Sequence, residues 1–536
     1  MRALPEQLEL AIGLDDDEDP ATLRSLAAQK LHVEEEDLPE LRLLKRSLDA
    51  RRGRVQFHLL LSTQKELETD GDSRMPVEAD ASLLAAGRRV VVVGDGPAGL
   101  FCAYELARRG VPTVVVDRGK EVKPRRRDLK LLNARGGVDA DSNYCYGEGG
   151  AGTYSDGKLY TRSHKRGNVR DVLEVLALHG APSAILTEAR PHIGSNLLPE
   201  VISALRQRLL EVGVEFRFGR RLIGIETEGS ASSRRVSGVR LQIVGEENCE
   251  ELAADVVVLA TGHSARDVFD LLDRLHVELE AKSFALGVRI EHPQALIDRI
   301  QFGRFAGHPK LGAASYKLVE QVGGRGVFSF CMCPGGWIVP AMTDAEHLVV
   351  NGMSLSKRDS DYANSGLVVG IEVSDYEKLR LTGALAGVEV QKRAERAACL
   401  AGGGENKAPA TRATDFLAGR ASSTLPSTSY LPGITAADVG AVLDAAGLGV
   451  ADRLRAALRA FDRQMRGYLT EEAVLVGVES RTSAPVRVAR DGESLESASL
   501  AGLYPCGEGA GYAGGIVSAA VDGLRVAERA AARVRA

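Results

Sequence analysis

Hydrophobic positions in this chain fall into a few unbroken runs separated by glycine-rich turns. Four valines, residues 90–93, lead straight into Gly94-Asp95-Gly96-Pro97-Ala98-Gly99. A short apolar run bounded by glycine predicts a strand buried on both faces. Leu100, Ala103, Tyr104 and Ala107 then keep helical spacing, and Gly110 suits the helix end. PTVVVDRG, residues 112–119, predicts a second buried strand, and DVVVLATGHSARD, residues 255–267, a third. Near the end, GLYPCGEGAGYAGGIVSAAV opens with a short strand, passes through a glycine-rich loop and runs into an amphipathic helix.

The first ninety residues have a different pattern. QLELAIGL, residues 7–14, reads as a strand. Asp19 and Pro20 supply an N-cap and first helical position, and Leu23, Leu26, Ala27 and Leu31 form one face of the helix that follows. LRLLKRSLDARR, residues 41–52, predicts a second helix, and Val55, Phe57, Leu59 and Leu61 alternate like a half-buried strand. Polar residues 63–82 read as a linker. The chain is thus expected to be α/β, with a small α/β module over 1–80 and a dinucleotide-binding domain whose first part is 88–281. Residues 282–475, turn-rich strands without a dinucleotide motif, read as a substrate or cap domain. Residues 476–536 return to the dinucleotide domain.

Composition narrows the class. A chain of 536 residues is too long for one core. The net charge of −5 argues against a dominant nucleic-acid surface, and no apolar run reaches the roughly 18 residues of a membrane span. The start turns acidic at once and lacks the apolar stretch of a signal peptide. Seven scattered cysteines fit reduced thiols. The expectation is a cytoplasmic protein acting on a small organic molecule, without nucleic-acid or membrane partners; the N-terminal module is a packing or protein-contact unit.

The first glycine motif carries the clearest chemistry. Gly94 permits the turn, Gly96 lets a pyrophosphate approach the backbone, and Gly99 lets helix and strand pack closely. The helix start offers free N–H groups to phosphate. Asp117, about twenty residues on, suits the adenosine ribose hydroxyls, with Arg118 beside it. The second motif favours one dinucleotide. A helix starting at Gly515 and Ile516 carries partial positive charge at its N-terminus. Such a terminus suits the N1–C2=O edge of a reduced flavin, and Glu508, next to Gly507, suits a polyol such as the ribityl chain. The expected cofactor is therefore FAD, and no metal site is expected.

The segments GEGGAGTYSDGKL, RPHIGSNLLPEV, LATGHSARD, VFSFCMCPGGWIVPA, GVESRTSAPVRV and LYPCGEGAGYAGGIVSAA carry a resemblance that spans most of residues 88–536. With them the chain resembles a bacterial family of FAD-dependent oxidoreductases, the NAD(FAD)-utilising dehydrogenases, within the glutathione-reductase-like FAD superfamily. The N-terminal extension also looks like the one found in that family. The resemblance implies a Rossmann-like three-layer FAD domain interrupted by a β-rich substrate domain. It further implies that the loop 147–158 runs along the flavin, which makes Gly149, Gly150, Gly152 and Ser155 cofactor-lining; the bland alternative is a surface turn. Arg125 falls where the family has an arginine, and is either a phosphate partner or part of a solvated basic face.

Thr261 and Gly262 end a strand on the ligand side of the sheet. His263 and His192 are the acid–base candidates, since histidine titrates near neutrality; the other reading, a residue that only fixes a loop, is the stronger of the two for each. Arg481 suits a substrate carboxylate or flavin carbonyl, or else a salt bridge to Glu479 or another acid. Lys317 is a further candidate of the same kind. Trp337 reads as pocket wall or as packing. Cys331 and Cys333 invite a redox reading, although the superfamily's disulfide reductases carry their cysteines in another place and at another spacing. The reaction expected is hydride transfer by a dehydrogenase or double-bond reductase, with NADH or NADPH as a diffusible reductant. A flavin monooxygenase or halogenase, or a flavin-bound regulatory or scaffold protein, is the alternative.

Overall fold

The computed structural model describes residues 4–51, 54–64, 75–134, 136–161, 167–230 and 233–536; much of the expected linker, residues 65–74, lies outside these. The architecture is mixed α/β with several sheets. Leu503–Pro505, Val256–Leu259, Val90–Val93, Thr113–Asp117 and Glu215–Phe218 lie side by side in that order, every neighbouring pair parallel. Val90, Val92, Val115, Val256 and Val258 enter one core, with helices Pro97–Arg108, Val169–Leu178, Leu198–Glu211 and Ile516–Arg535. Val91, Val93, Val114, Val116 and Val257 enter the opposite core. That second core is closed by helix Arg266–Arg274 and by the antiparallel strands Arg220–Glu228, Arg235–Ile243 and Cys249–Ala253. The valine runs do not alternate because each face of the sheet meets its own core.

Helix Ile516–Arg535 lies along Pro97–Arg108 so closely that a Cβ on Gly523 would stand 2.2 Å from the Ala98 carbonyl oxygen. The last helix of the chain is thereby locked onto the first helix of the parallel sheet.

The chain leaves this unit at Leu279–Ala281 and returns at Val486–Val488, two strands that pair antiparallel. Between them lies a seven-stranded sheet centred on Phe284–Pro293, flanked by Tyr362–Ile371 and Val474–Glu479. Its pairs are antiparallel except at one edge, where Ala408–Arg412 and Ile434–Ala436 run parallel. Helices Ala386–Gly402 and Val450–Gln464 pack into the same core. Because Val474–Glu479 is an inner strand of this sheet, the return falls later than the 476 read from sequence.

The N-terminal module has Gln56–Ser62 between Gln7–Gly13 and Arg42–Asp49, all antiparallel, with helix Pro20–Leu31 capped by the Asp19 carboxylate. The helix expected over 41–52 is thus a strand. Its leucines suit either period. Pairing with Gln56–Ser62 decides the matter, and a register shift between Leu43 and Lys45 absorbs the two adjacent leucines. Among the described residues no helix is long and apolar enough to cross a membrane.

Candidate functional site

The C-terminal ends of the parallel strands converge on one cleft. Gly94 has φ +102, and a Cβ there would lie 2.4 Å from the Ala260 carbonyl oxygen; one on Gly99 would lie 1.9 Å from that of Gly94. Both glycines are therefore required by the protein's own packing. Gly96 is different: its φ is −78, and an added Cβ would have only the Gly150 Cα nearby, at 3.8 Å. It leaves bare backbone at the start of helix Pro97–Arg108, which no side chain caps.

Two further segments close on this point. The turn Gly150–Gly152 lies against Gly96, and Gly152 sits between Pro97 and Ile516, each within about 3.5 Å of a built Cβ. Helix Ile516–Arg535 begins at Gly515, exposed, with φ +109 and no side-chain cap. Gly507 packs on Ala98, and Gly509 on Gly262 beyond Thr261. Two helix starts with unpaired N–H groups thus face a backbone nearly stripped of side chains, in the crevice where open parallel sheets take ligands. These features fit the phosphates and ring of a dinucleotide.

The charged residues around the cleft do more structural work than their sequence positions suggest. Asp117 Oδ1 accepts from the N–H groups of Gly119, at 2.7 Å, and Gly147, at 3.0 Å, and Oδ2 accepts from Asp95 at 2.9 Å. One lone pair on Oδ2 remains for a ribose hydroxyl. Arg118 stacks over Tyr146 and pairs with Asp267 at 2.5 Å. Arg125 is a correction. It is fully buried, and its guanidinium donates to the carbonyls of Asn143, Tyr144, Glu148 and Gly150 at 2.8–3.1 Å. It clasps the loop that carries the glycines, so a phosphate is not its partner. Ser155 turns its hydroxyl onto its own loop, at 2.7 Å from the Gly152 carbonyl, while its residue borders the pocket described next.

Sequence reasoning missed two acids here. Glu148 is fully buried, accepts from the Val122 N–H at 2.7 Å and pairs with Arg206 at 2.8 Å. Asp95 is also fully buried, and among the described residues neither carboxyl oxygen has a hydrogen-bond partner. Burial, then the neighbouring Glu148 and Asp117, raises its pKa well above the ordinary carboxyl value.

Beside the cleft is a pocket between residues 144–155 and the hairpin Gly336–Pro340 with Val350–Ser354; Tyr144, His263, Val339, Asn351, Glu479 and Arg481 are among its lining residues. His263 is half-buried, and burial lowers its pKa against the opposing charge of Glu508, itself half-buried at the second motif. Arg481 forms the salt bridge that was one of its two sequence readings, but with Glu395: Nη2 and Nε lie 3.0 and 3.3 Å from the carboxylate, and Nη1 donates to Thr343 at 2.9 Å. Glu395 also holds Arg266 at 2.7 Å and the Ser480 hydroxyl at 2.6 Å. Buried within helix Ala386–Gly402, it is the anchor of the pocket's cationic wall, and only its place on the apolar face of that helix hinted at it.

The other candidates lie elsewhere. His192 is not among the pocket's residues; its Nε2 is 3.0 Å from the Ser356 carbonyl oxygen, and its backbone bridges to Lys158. Lys317 is exposed between buried Tyr316 and Leu318. Trp337 is half-buried and pairs across the hairpin with Met353. Among the described residues no group of histidine, cysteine and carboxylate side chains is arranged to hold a metal ion.

Residues 88–133 match the family described as FAD binding domain, residues 283–482 the FAD-dependent protein C-terminal domain-like family, and residues 4–63 a domain of unknown function. An uncharacterized protein of Clostridium beijerinckii is 41% identical over 535 residues, covering 96% of this chain and 97% of its own. Among solved structures, a flavocytochrome c3 fumarate reductase in an open conformation overlaps with a TM-score of 0.33 at 12% identity, covering 88% of this chain and 82% of that one. A mutant E. coli quinol fumarate reductase FrdA gives 0.35 at 13%, covering 84% and 70%. Overlaps this slight bear on neither reaction nor substrate.

Proposed function

The chain belongs to the family of the C. beijerinckii protein and carries an FAD binding domain, and from that premise we propose that it is an FAD-dependent oxidoreductase. The reaction we infer is a two-electron hydride transfer between flavin N5 and a small organic substrate, as in a dehydrogenase or double-bond reductase. When bound, FAD supplies the redox chemistry; the protein supplies position and electrostatics.

In this reading residues 88–281 and 486–536 make a Rossmann-like FAD domain, and the seven-stranded unit is its cap. Gly94, Gly96 and the start of Pro97–Arg108 hold the pyrophosphate, Asp117 and Arg118 the adenosine end, and Thr261, Gly262, Glu508 and the start of Ile516–Arg535 the flavin end. Arg481, fixed by Glu395 and Thr343, turns the rest of its guanidinium to a substrate carboxylate or carbonyl. His263, neutral through burial, takes or gives a proton at the same pocket. The hairpin Gly336–Pro340 with Val350–Ser354 keeps water from that point. The protein acts in the cytoplasm and takes electrons from diffusible NADH or NADPH.

The observation that carries this reading is the meeting of two uncapped helix starts and the Gly150–Gly152 turn beside a pocket that contains His263 and Arg481. Denaturing the purified protein and identifying the released chromophore tests it, followed by anaerobic addition of NADH or NADPH and turnover with an artificial acceptor. FAD that is reduced and reoxidised in turnover is the expected result. Release of nicotinamide dinucleotide alone overturns it, and FAD that nothing reduces points instead to a scaffold protein.

A further inference from the structure

Strand Arg325–Cys333 contains a distortion that the proposed reaction leaves unused. Its register with Tyr362–Ile371 shifts between Phe330 and Cys333, and Cys331 has φ +42. Left-handed backbone is uncommon for a residue with a Cβ and costs free energy, so something else must hold it. The outcome is that Cys331 is exposed while Cys333 is fully buried.

Cations from two other elements meet these sulfurs. Lys158 Nζ stands 3.7 Å from Cys331 Sγ and 3.6 Å from Cys333 Sγ. The buried Arg289 guanidinium lies 3.7 Å from Cys333 Sγ and donates to the Cys331 carbonyl oxygen at 3.0 Å. Each cation has its own carboxylate. Asp156 is 3.0 Å from Lys158 and also holds Arg358 at 2.6 Å and Ser354; Glu479 is 3.1 Å from Arg289. The Cys333 thiol donates to the Cys331 carbonyl oxygen at 3.3 Å. The Cys331 thiol is held well below its ordinary pKa by its interaction with the Cys333 side chain and, against the effect of burial, by Lys158 and Arg289. The same interaction between the two side chains, with burial, pushes Cys333 well above. An exposed cysteine beside a lysine, with a buried cysteine two residues on that meets the same lysine, is an arrangement for attack and resolution.

We propose that Cys331 and Cys333 form a redox-active dithiol, Cys331 attacking and Cys333 resolving, and that its reaction partner is a low-molecular-weight disulfide. Cys331 Sγ attacks one sulfur of the disulfide; a mixed disulfide forms, and the first thiol leaves with a proton from solvent. Cys333 then loses its proton to solvent and attacks Cys331 Sγ, closing the intramolecular disulfide and expelling the second thiol, which takes up a proton. The dithiol is oxidised by two electrons and the small disulfide is reduced to two thiols. None of this depends on the flavin reading.

The test uses the full-length protein equilibrated anaerobically with mixtures of reduced and oxidised glutathione, acid-quenched, alkylated and mapped by mass spectrometry. A Cys331–Cys333 disulfide should appear and disappear reversibly with the glutathione ratio. Cys333→Ser should accumulate a glutathione adduct on Cys331. Cys249, also exposed, is the internal control: in the unmutated protein near neutral pH, Cys331 should react with iodoacetamide about ten times faster, and Lys158→Met should remove most of that advantage. Cysteines that stay reduced across the series, or a Cys331 no faster than Cys249, overturn the proposal.

Discussion

Gly96 and Gly150 touch across the cleft, but the crowding is one-sided. A Cβ on Gly150 would lie 2.9 Å from the Gly96 Cα, whereas a Cβ on Gly96 would lie 3.8 Å from the Gly150 Cα, an ordinary contact. Gly150 also has φ +60, where an L side chain is strained. The two glycines should therefore separate fold from ligand. Gly150→Ala should cost roughly 1 kcal/mol or more in denaturant unfolding. Gly96→Ala should unfold within about 1 kcal/mol of the parent yet retain less FAD through gel filtration. A Gly96→Ala protein with full flavin occupancy would show that the phosphates lie elsewhere.

Arg125 offers a second separation. Its side chain satisfies four backbone carbonyls of buried residues. Arg125→Lys keeps the charge but not the planar fork, and each buried carbonyl left without a donor costs about 1–3 kcal/mol. The expected result is a loss of at least about 2 kcal/mol in unfolding free energy, with weaker FAD retention because the Gly150–Gly152 turn loosens. Unchanged stability with lower FAD affinity would return Arg125 to the phosphate.

These two cases mark what the sequence made legible. Local signals carried far: the valine runs, the Asp19 cap and the two glycine motifs each describe a segment whose neighbours in space are close in sequence or repeat a known turn chemistry. Residues 41–52 failed because their leucines satisfy both periods, and the choice was made by a partner strand. The site's charges failed for a related reason. Arg481 finds Glu395 eighty-six residues away, and Arg266 finds it from 129. Asp95 carries no local signal of its own between Gly94 and Gly96. Its burial and the nearness of Glu148, fifty-three residues on, are visible only in the folded chain.

The N-terminal module is joined to both larger units. Arg46 exchanges backbone hydrogen bonds with Thr187 and Ala189 at 2.8 Å, while His308 and Lys310 reach Asp15 and Asp16. Phe305 and Leu311 pack against its core. Removing residues 1–75 should leave FAD binding intact, since none of the module's described residues lines the cleft. It should raise aggregation, because that apolar contact becomes exposed. Soluble truncated protein without flavin would mean that the module holds the two units in the arrangement FAD needs.

His292 gives a stability signature in acid. It is fully buried in the seven-stranded sheet, and burial lowers its pKa from 6.5 to about 4 against the Tyr468 carbonyl that its Nε2 meets at 2.8 Å. The unfolded chain therefore binds the proton more readily. The histidine's contribution is complete above about pH 6.5 and is lost as the pH falls through about 4, at about 1.4 kcal/mol per pH unit. Relative to His292→Phe, which cannot titrate, the parent should lose about 3 kcal/mol across that range. Denaturant midpoints of the two proteins from pH 7 to pH 4 measure this. Parallel curves would mean that the histidine is solvated.

The last prediction concerns helix Ile516–Arg535. If its uncapped start faces the flavin, removing one N–H should destabilise negative charge there. Gly515, with φ +109, cannot become proline, but Ile516 can: proline is accepted at the first helical position, and Gly515 with ψ 168 is extended as a residue before proline must be. Ile516→Pro deletes one donor and leaves the helix in place. Anionic charge at a helix start is favoured by about 0.3–1 kcal/mol when exposed and up to about 2 kcal/mol when partly buried. For a two-electron couple 30 mV corresponds to about 1.4 kcal/mol, so the midpoint potential of the bound flavin should fall by roughly 10–40 mV. Ile516 also packs beside Gly152, so Ile516→Val serves as the control: it trims that contact and keeps the N–H. Its potential should match the parent's. Equal potentials in all three fully flavinated proteins would place this helix start away from the flavin and leave the cleft at Gly96 as the cofactor's one anchor.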